Sequence, residues 1–245
     1  MKYLKEFKTE NDYLAYRDDK SNYLKPNVSL CEGNSTVYYN YPPKPKANGH
    51  DYVDLGLPNG TLWATMNVGA SKPSDYGLYF QWGDTHGYTK EQVGKDKQFT
   101  WNDYKFSIDG SSSNFSKYNK TDNKNVLDLE DDAAHVNMGG DWHMPTPTQI
   151  SELLSNTTNT WITSDDGVNG RLFTSKNNGK SIFVPAAGFA WDGSLVLSGS
   201  RGNVWSSMLN TSYVYSGQYL FFVSGNAYLY YDYRGCGFAV RGVLG

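Results

Sequence analysis

One acidic cluster supplies the residues of this 245-residue chain whose types and spacing suit metal binding. Glu130, Asp131 and Asp132 are consecutive, and Asp128 lies two residues earlier. Carboxylate oxygens are the ligands that calcium prefers, although the spacing lacks the glycine and the closing glutamate of an EF-hand loop. The same acids suit the start of a helix, where negative charge complements the helix dipole. The sequence leaves both interpretations open, a calcium site and an acidic helix N-terminus.

Other reactive residue types are present without the spacing that catalysis requires. The four histidines are His50, His86, His135 and His143. No two of them are four residues apart, as a metal site on a helix would need. The two cysteines, Cys31 and Cys236, can form neither a framework of several disulfides nor a four-thiolate zinc site, and we expect both to be unpaired. The sequence predicts no catalytic set, and we expect that the protein is not an enzyme.

The strongest local anomaly is a concentration of tyrosine near the C-terminus. Seven of the 20 tyrosines fall between Tyr213 and Tyr233, interleaved with serine, glycine and asparagine. Antibody contact loops share this composition, because tyrosine offers rigid amphipathic area while the small residues adapt their hydrogen bonds. Tyrosine is also common in ordinary strands, so a purely structural interpretation stays open. Because exposed aromatic patches usually mark contact sites, we expect a binding surface here.

A strand predicted over 227–233 divides these side chains between two faces, because side chains alternate along a strand. One face carries Tyr228, Tyr230 and Asp232, and the other carries Leu229, Tyr231 and Tyr233. We expect one of the two faces to be the binding surface.

Two helices are predicted in the central part of the chain. Over 144–154, threonines can cap the helix, prolines suit its first turn, and Ile150, Leu153 and Leu154 share one face. The second helix is predicted over 129–136 and begins with acidic residues.

The rest of the sequence is typical of short strands separated by loops. Aromatic and β-branched runs stand between Gly, Asn, Asp and Ser residues, for example at 181–185, 219–223 and 238–240. Residues 107–127 are rich in Ser, Asn and Lys and predict a long exposed loop. These patterns indicate an α+β, loop-rich fold.

A proline-rich stretch divides the chain into two parts. Residues 41–49 contain three prolines and no hydrophobic periodicity, which predicts a linker. We therefore expect a small N-terminal segment over 1–47 and a larger domain over 48–245. Within the segment, the runs at 28–31 and 36–39 predict a hairpin.

Composition excludes several classes of function. The net charge is −3, and without clustered Lys and Arg we expect no binding of nucleic acid. The first ten residues lack the apolar core of a signal peptide, and no stretch approaches the roughly 18 apolar residues of a membrane helix. Without a signal peptide, we expect no export through the Sec pathway. After Lys180 the chain contains neither lysine nor glutamate.

An ordered series of motifs over about 52–243 resembles the "Fibrobacter succinogenes major paralogous" type domains, which are abundant in gut Bacteroidetes and their phages. The motifs are YVDLGLPNGTLWAT (52–65), NVGA (67–70), YFQWG (79–83), EDDAA (130–134), GGDWHMPT (139–146), PAAG (185–188), WSS (205–207) and GFAVR (237–241). The resemblance implies the C-type-lectin fold that these domains share with formylglycine-generating enzymes. His143 stands where the family usually has arginine in a Trp-Arg-Leu-Pro-Thr motif.

Within this fold, the chain is similar to the variable proteins of diversity-generating retroelements, which have a hypervariable region near the C-terminus. Mutagenesis of Asn codons there reaches Tyr, Ser, Asp, Gly, Cys and Arg but never Lys, Glu, Gln, Met or Trp. By this logic Trp205, Met208 and Gln218 belong to the scaffold. The variable ligand contacts that the resemblance implies are Asn210, Tyr213, Tyr215, Asn226, Tyr228, Tyr230, Asp232, Tyr233, Gly235 and Cys236.

The resemblance implies a receptor-binding or adhesion protein of a Bacteroides phage or prophage, which would be virion-associated, or cytoplasmic before assembly. Its partner would be a protein or glycan on a host or bacterial cell surface, and its N-terminal segment would serve attachment or assembly. An alternative is a structural subunit of a phage tail or fibre, forming a trimer without a discrete ligand. The copper-dependent oxidase of the formylglycine-generating type is disfavoured, because its chemistry needs two nearby C-terminal cysteines and only Cys236 lies in that region.

Overall fold

The structure is a computed structural model that describes residues 4–6, 27–30, 36–40 and 45–245. The first three ranges are the strands β1 (Leu4–Glu6), β2 (Asn27–Leu30) and β3 (Thr36–Asn40), which form an antiparallel sheet in the order β1-β3-β2. Its register pairs Val28 with Tyr39 and Leu30 with Val37. This pairing confirms the strands of the predicted hairpin, whereas its turn and Cys31 lie outside the described residues.

Residues 45–245 fold into short strands, two α-helices and many loops. The strands are β4 (Lys46–Ala47), β5 (His50–Asp54), β6 (Leu62–Ala64), β7 (Tyr79–Phe80), β8 (Thr157–Thr163), β9 (Asn169–Ser175), β10 (Ser181–Pro185), β11 (Phe189–Trp191), β12 (Ser194–Val196), β13 (Arg201–Leu209), β14 (Ser216–Val223), β15 (Ala227–Tyr233), β16 (Phe238–Ala239) and β17 (Val243–Leu244). The helices are α1 (Ala133–Met138) and α2 (Pro147–Asn156). The predicted α+β, loop-rich class is confirmed.

The strands assemble into four sheets in this part of the chain. A five-stranded sheet has the order β15-β14-β13-β16-β7, and a four-stranded sheet has the order β17-β6-β5-β4. The other two sheets have the strand orders β10-β9-β8 and β11-β12. In the five-stranded sheet β15 is an edge strand, and in the four-stranded sheet the last strand of the chain pairs beside β6. No helix in the described residues is long and apolar enough to cross a membrane.

Helix α2 confirms the helix predicted over 144–154, with its start moved to Pro147. Thr146 caps it, because the Thr146 side chain accepts a hydrogen bond from the Gln149 backbone while the Gln149 side chain accepts one from the Thr146 backbone. Ile150 and Leu153 are fully buried. They pack α2 against the strand β14, through Leu220 and its neighbours.

The second predicted helix, over 129–136, is correct in place but wrong in its bounds. A single 3₁₀ turn covers Leu129–Asp131, and the α-helix α1 begins only at Ala133. The break falls at Asp132, whose extended backbone and side-chain hydrogen bond to the His135 N–H make it the helix cap. The acidic residues therefore precede α1 and do not form its first turn.

Two predicted loop segments are more ordered than their composition indicates. Lys46 and Ala47, at the end of the predicted linker, pair with β5 across a turn in which Asn48 and Gly49 both have positive φ. The loop over 107–127 has no regular element, but it is not simply exposed, because Phe115 and Tyr118 are buried in the main core. The polar composition of this loop did not indicate that these two aromatic side chains are buried.

Candidate functional site

Six tyrosines from β15 and from the loop before β14 form a continuous aromatic patch, which we call the tyrosine surface. Its members are Tyr213, Tyr215, Tyr228, Tyr230, Tyr231 and Tyr233. Five of them are 40–47% exposed, and Tyr215 is half-buried. All six lie within the tyrosine-rich window predicted to bind a ligand.

Ring-to-ring contacts hold the tyrosine surface together. The rings of Tyr230 and Tyr231 stack with centroids 5.1 Å apart, and Tyr231 also stacks on Tyr213 at 5.8 Å. Tyr228 meets Tyr230 edge-on at 5.7 Å. These distances are typical of favourable aromatic pairs, so each ring is positioned by its neighbours before any ligand arrives.

The tyrosine surface includes side chains from both faces of β15. The alternation of side chains along the strand had predicted that only one face would form the binding surface. Tyr228 and Tyr230 lie on one face, Tyr231 and Tyr233 on the other, and all four are exposed. Ala227 and Leu229 of this strand are half-buried and pack against the core cluster that contains Ile150 and Leu153 of α2. The helix covers a part of one face of this edge strand, and the aromatic residues beyond it project into solvent.

Two tryptophans extend the tyrosine surface beyond the predicted residues. Trp101 and Trp191 lie 5.7 Å and 5.9 Å from the Tyr233 ring and 6.2 Å from each other. Both are half-buried. They come from distant loop and strand positions, and no spacing in the sequence links them to Tyr233.

One ion pair lies beside the aromatic rings. Arg201 Nη2 is 3.4 Å from Asp232 Oδ2 and donates a hydrogen bond to the Tyr219 hydroxyl at 2.8 Å. The guanidinium group also lies 5.0 Å above the Phe221 ring. Asp232, predicted to contact ligand, is thus half-buried and already paired, which leaves this part of the surface close to neutral.

The two predicted asparagines have different environments. Asn226 is exposed in the turn between β14 and β15, where its carbonyl accepts a hydrogen bond from the Val223 N–H. Asn210 is half-buried, and its Oδ1 accepts hydrogen bonds from the N–H groups of Ser212 and Tyr213. Asn226 is available to a ligand, whereas Asn210 shapes the loop that carries Tyr213.

Gly235 and Cys236 require a correction, because the structure places both in the interior. A Cβ atom at Gly235 would lie 3.2 Å from the Trp101 ring, so a side chain there would push against that tryptophan. Cys236 is 3% exposed, and burial raises the pKa of its thiol well above the usual value. Neither residue is exposed to a ligand, since both are buried directly after Tyr233.

The residues expected to be scaffold support the sheet below the tyrosine surface. Trp205 is fully buried, stacks on Phe238 with centroids 4.0 Å apart, and donates from Nε1 to the Phe80 carbonyl. Gln218 donates to the Leu209 carbonyl, and Met208 is half-buried.

Arg234 joins the end of β15 to the long loop over 107–127. Its guanidinium carbon lies 3.5 Å from the centroid of the buried Phe115 ring, and Nη1 donates to the Tyr118 carbonyl at 2.8 Å. The residue is fully buried and pairs with no carboxylate among the described residues. Burial lowers its pKa, and carbonyl oxygens and ring faces compensate the charge instead.

The acidic cluster holds three of its four predicted members together. Carboxylate oxygens of Asp128, Glu130 and Asp131 lie within 4.8 Å of one another, close enough to hold a metal ion. The ammonium group of Lys117 lies among them, 2.8 Å from Asp128, 2.8 Å from Glu130 and 2.5 Å from Asp131. A cation entering this triad would compete with the lysine.

Asp132, the fourth predicted ligand, does not belong to the triad, and that part of the prediction needs correction. Its carboxylate caps α1, and the Met144 N–H donates one bifurcated hydrogen bond to both of its oxygens. Burial raises the pKa of Asp132 despite these bonds. The residue thus links α1 to the segment before α2.

The charges of the triad predict an acid-dependent loss of stability. Hydrogen bonds from Lys117 and Lys124 lower the pKa of Asp128 to about 2 from 3.8, so its contribution is present above pH 3.8 and disappears as the pH falls through about 2. Protonation of Asp128 breaks its ion pairs with the two lysines. We expect this loss to lower the free energy of unfolding by less than about 1 kcal/mol, because Asp128 is partly exposed and solvent screens its charge.

Urea unfolding at a series of pH values measures this effect. In Lys117→Met the carboxylates lose their central cation, so the pH dependence below pH 4 should shrink. If the free energy of unfolding changed with pH equally in wild type and in Lys117→Met, the stabilisation of these carboxylates by Lys117 would be contradicted.

Comparisons with protein-family models, with characterised proteins and with solved structures found no match to this chain.

Proposed function

We propose that this is a ligand-binding protein with a C-type-lectin-like domain over 48–245, and that it acts in receptor binding or adhesion through the tyrosine surface. The observation that carries the proposal is the exposure of tyrosines on both faces of β15. Folded proteins rarely leave aromatic side chains clustered in solvent unless they contact a partner.

The geometry suits tight binding for an energetic reason. Ordering a flexible side chain at an interface costs about 0.5–1.5 kcal/mol. The rings here are restrained by stacking and edge contacts before binding, so a ligand meets a surface that loses little further freedom. Tyrosine also supplies both apolar area and a hydroxyl group that can donate or accept a hydrogen bond.

The partner that we propose is a protein or glycan on a host or bacterial cell surface. The setting that the motifs favour is a phage or prophage of a gut bacterium, with residues 1–47 serving attachment or assembly. In this proposal the protein is virion-associated and is not an enzyme. The half-buried Asp232 and Arg201 compensate each other, which favours a partner recognised by shape and hydrogen bonds over one recognised by net charge.

The proposal is tested by removing three rings at once. We expect Tyr228→Ala/Tyr230→Ala/Tyr233→Ala to weaken binding by at least about thirtyfold, or ~2 kcal/mol, because truncation of interface tyrosines has effects of this size. The melting temperature should stay within a few degrees. The probes are arrays of purified glycans and of purified surface proteins from gut bacteria, screened first with the wild-type chain.

Two controls accompany the triple variant. Replacing the same three tyrosines by phenylalanine keeps the rings and isolates the role of the hydroxyl groups. Ile108→Ala removes another exposed apolar side chain, 62% exposed and in a different loop, and should bind as wild type does. Unchanged binding by the triple alanine variant, or its unfolding, would overturn the proposal, since unfolding would assign these tyrosines to the core.

A further inference from the structure

The free edge of β15 has a defined pattern of backbone hydrogen bonds. Strand β15 pairs with β14 alone among the described residues. The Val223 N–H donates to the Asn226 carbonyl, and the Arg234 N–H donates to the Tyr215 carbonyl, both at 3.0 Å. Bonded and non-bonded residue pairs alternate in an antiparallel ladder. The backbone groups of Tyr228 and Tyr230 therefore face β14.

The same alternation turns three residues outward. The N–H and carbonyl groups of Ala227, Leu229 and Tyr231 face away from β14, and none has a hydrogen-bond partner in the described part of the chain. The outward groups of Tyr233 are already used, because its N–H donates to the Asp232 carboxylate and its carbonyl accepts from the Cys236 N–H. The open ladder thus runs from Ala227 to Tyr231.

This edge lacks the usual protection against strand pairing. Natural edge strands carry lysine, proline or a bulge, or are covered by a loop. Strand β15 contains no lysine and no proline, and its register with β14 is continuous from Ala227 to Tyr233. Exposed tyrosines flank the open ladder on both faces.

We propose that the β15 edge pairs with the β15 edge of a second copy of this chain, antiparallel and centred on Leu229. Leu229 would face its own counterpart and exchange two backbone hydrogen bonds with it. In this register Tyr228 of each copy faces Tyr230 of the other, as a pair with Cα atoms about 4.5 Å apart, the spacing at which side chains interact most closely.

The residues further along are complementary in size and charge. The small Ala227 faces the large Tyr231. Asp232, the single charged residue of β15, faces Asn226, which is exposed and uncharged. No like charges oppose each other, which is the condition that a self-pairing strand must satisfy.

Pairing of the two β15 edges would join two five-stranded sheets into one sheet of ten strands. The side chains of Tyr228 and Tyr230 from both copies would then lie side by side on one face. In this way the second copy contributes residues to the binding site, a consequence that rests on the proposed function. Pairing itself does not depend on that function and needs no ligand.

Two charge patterns test the register. In Tyr228→Asp/Tyr230→Asp, each facing pair brings two carboxylates together across the edge. In Tyr228→Asp/Tyr230→Lys, the same two tyrosines are lost but every facing pair has opposite charges. Both variants should lose ligand binding, and only the first should lose pairing, so the failure of one proposal is distinguishable from the failure of the other.

Sedimentation equilibrium of the full chain over a wide range of concentration measures the pairing. We expect a monomer–dimer equilibrium for wild type, a dissociation constant raised by at least about tenfold for Tyr228→Asp/Tyr230→Asp, and restoration for Tyr228→Asp/Tyr230→Lys. A wild type that stays monomeric or forms trimers would overturn the proposal. A dimer unaffected by the first variant, or lost equally in both, would overturn it as well. Restored dimers without ligand binding support the pairing.

Discussion

Trp205→Ala is expected to lower the free energy of unfolding by about 3 to 5 kcal/mol, the range found when large aromatic side chains are removed from cores. The indole is fully buried, stacks on Phe238 and lies edge-on to Tyr219 at 5.8 Å. The substitution leaves a cavity between β13 and β16 and deprives the Phe80 carbonyl of its donor. Urea unfolding measures the loss.

A variant with a smaller aromatic ring is the comparison. Trp205→Phe keeps a six-membered ring against Phe238 and removes the indole N–H together with the five-membered ring, so we expect a smaller loss of about 1 to 2 kcal/mol. Were Trp205→Ala to cost less than Trp205→Phe, the central role of this stack in the sheet would be refuted.

Arg234→Ala should be nearly as damaging, with a loss of about 3 to 4 kcal/mol in the free energy of unfolding. The guanidinium group fills the space beside Phe115 and donates to the Tyr118 carbonyl. Without it, the loop over 107–127 loses its link to β15, and Tyr233, the residue before Arg234, loses part of its support. Binding by the tyrosine surface should weaken together with stability.

Arg234→Met is the control for the volume of the side chain. Methionine fills much of the same space without charge or donors, and relief from the cost of burying an unpaired cation offsets part of the loss. We expect less than half of the effect of Arg234→Ala. Hydrogen exchange should show faster exchange at residues 115–119 in both variants, and unchanged exchange there would refute the proposed link between loop and strand.

The elements that could be predicted from sequence are those with local signals. Thr146 and Pro147 mark the start of α2, and alternation over 227–233 gave the strand β15 with its correct bounds. A run of apolar residues placed β10 at 181–185. In each case the determining interactions join residues within a few positions of each other, so the pattern is readable from the chain alone.

The features that were missed depend on contacts between distant residues. Trp101 reaches Tyr233 across more than a hundred residues, and Lys117 enters the acidic cluster from a loop whose composition predicted exposure. Cys236 is buried because the chain turns inward after the last tyrosine of β15. Both faces of β15 are exposed because it is an edge strand. The periodicity of the sequence does not predict where in a sheet a strand lies.

The burial of the last two arginines has a consequence for proteolysis. After Lys180, trypsin has only Arg201, Arg234 and Arg241 to recognise, and in the folded chain Arg234 and Arg241 are 0% exposed while Arg201 lies half-buried in β13. The segment that carries the tyrosine surface is therefore protected from the protease only as long as it is folded. Cleavage at Arg234 reports the opening of this region directly, and the rate of that opening sets how long the surface survives in a protease-rich environment.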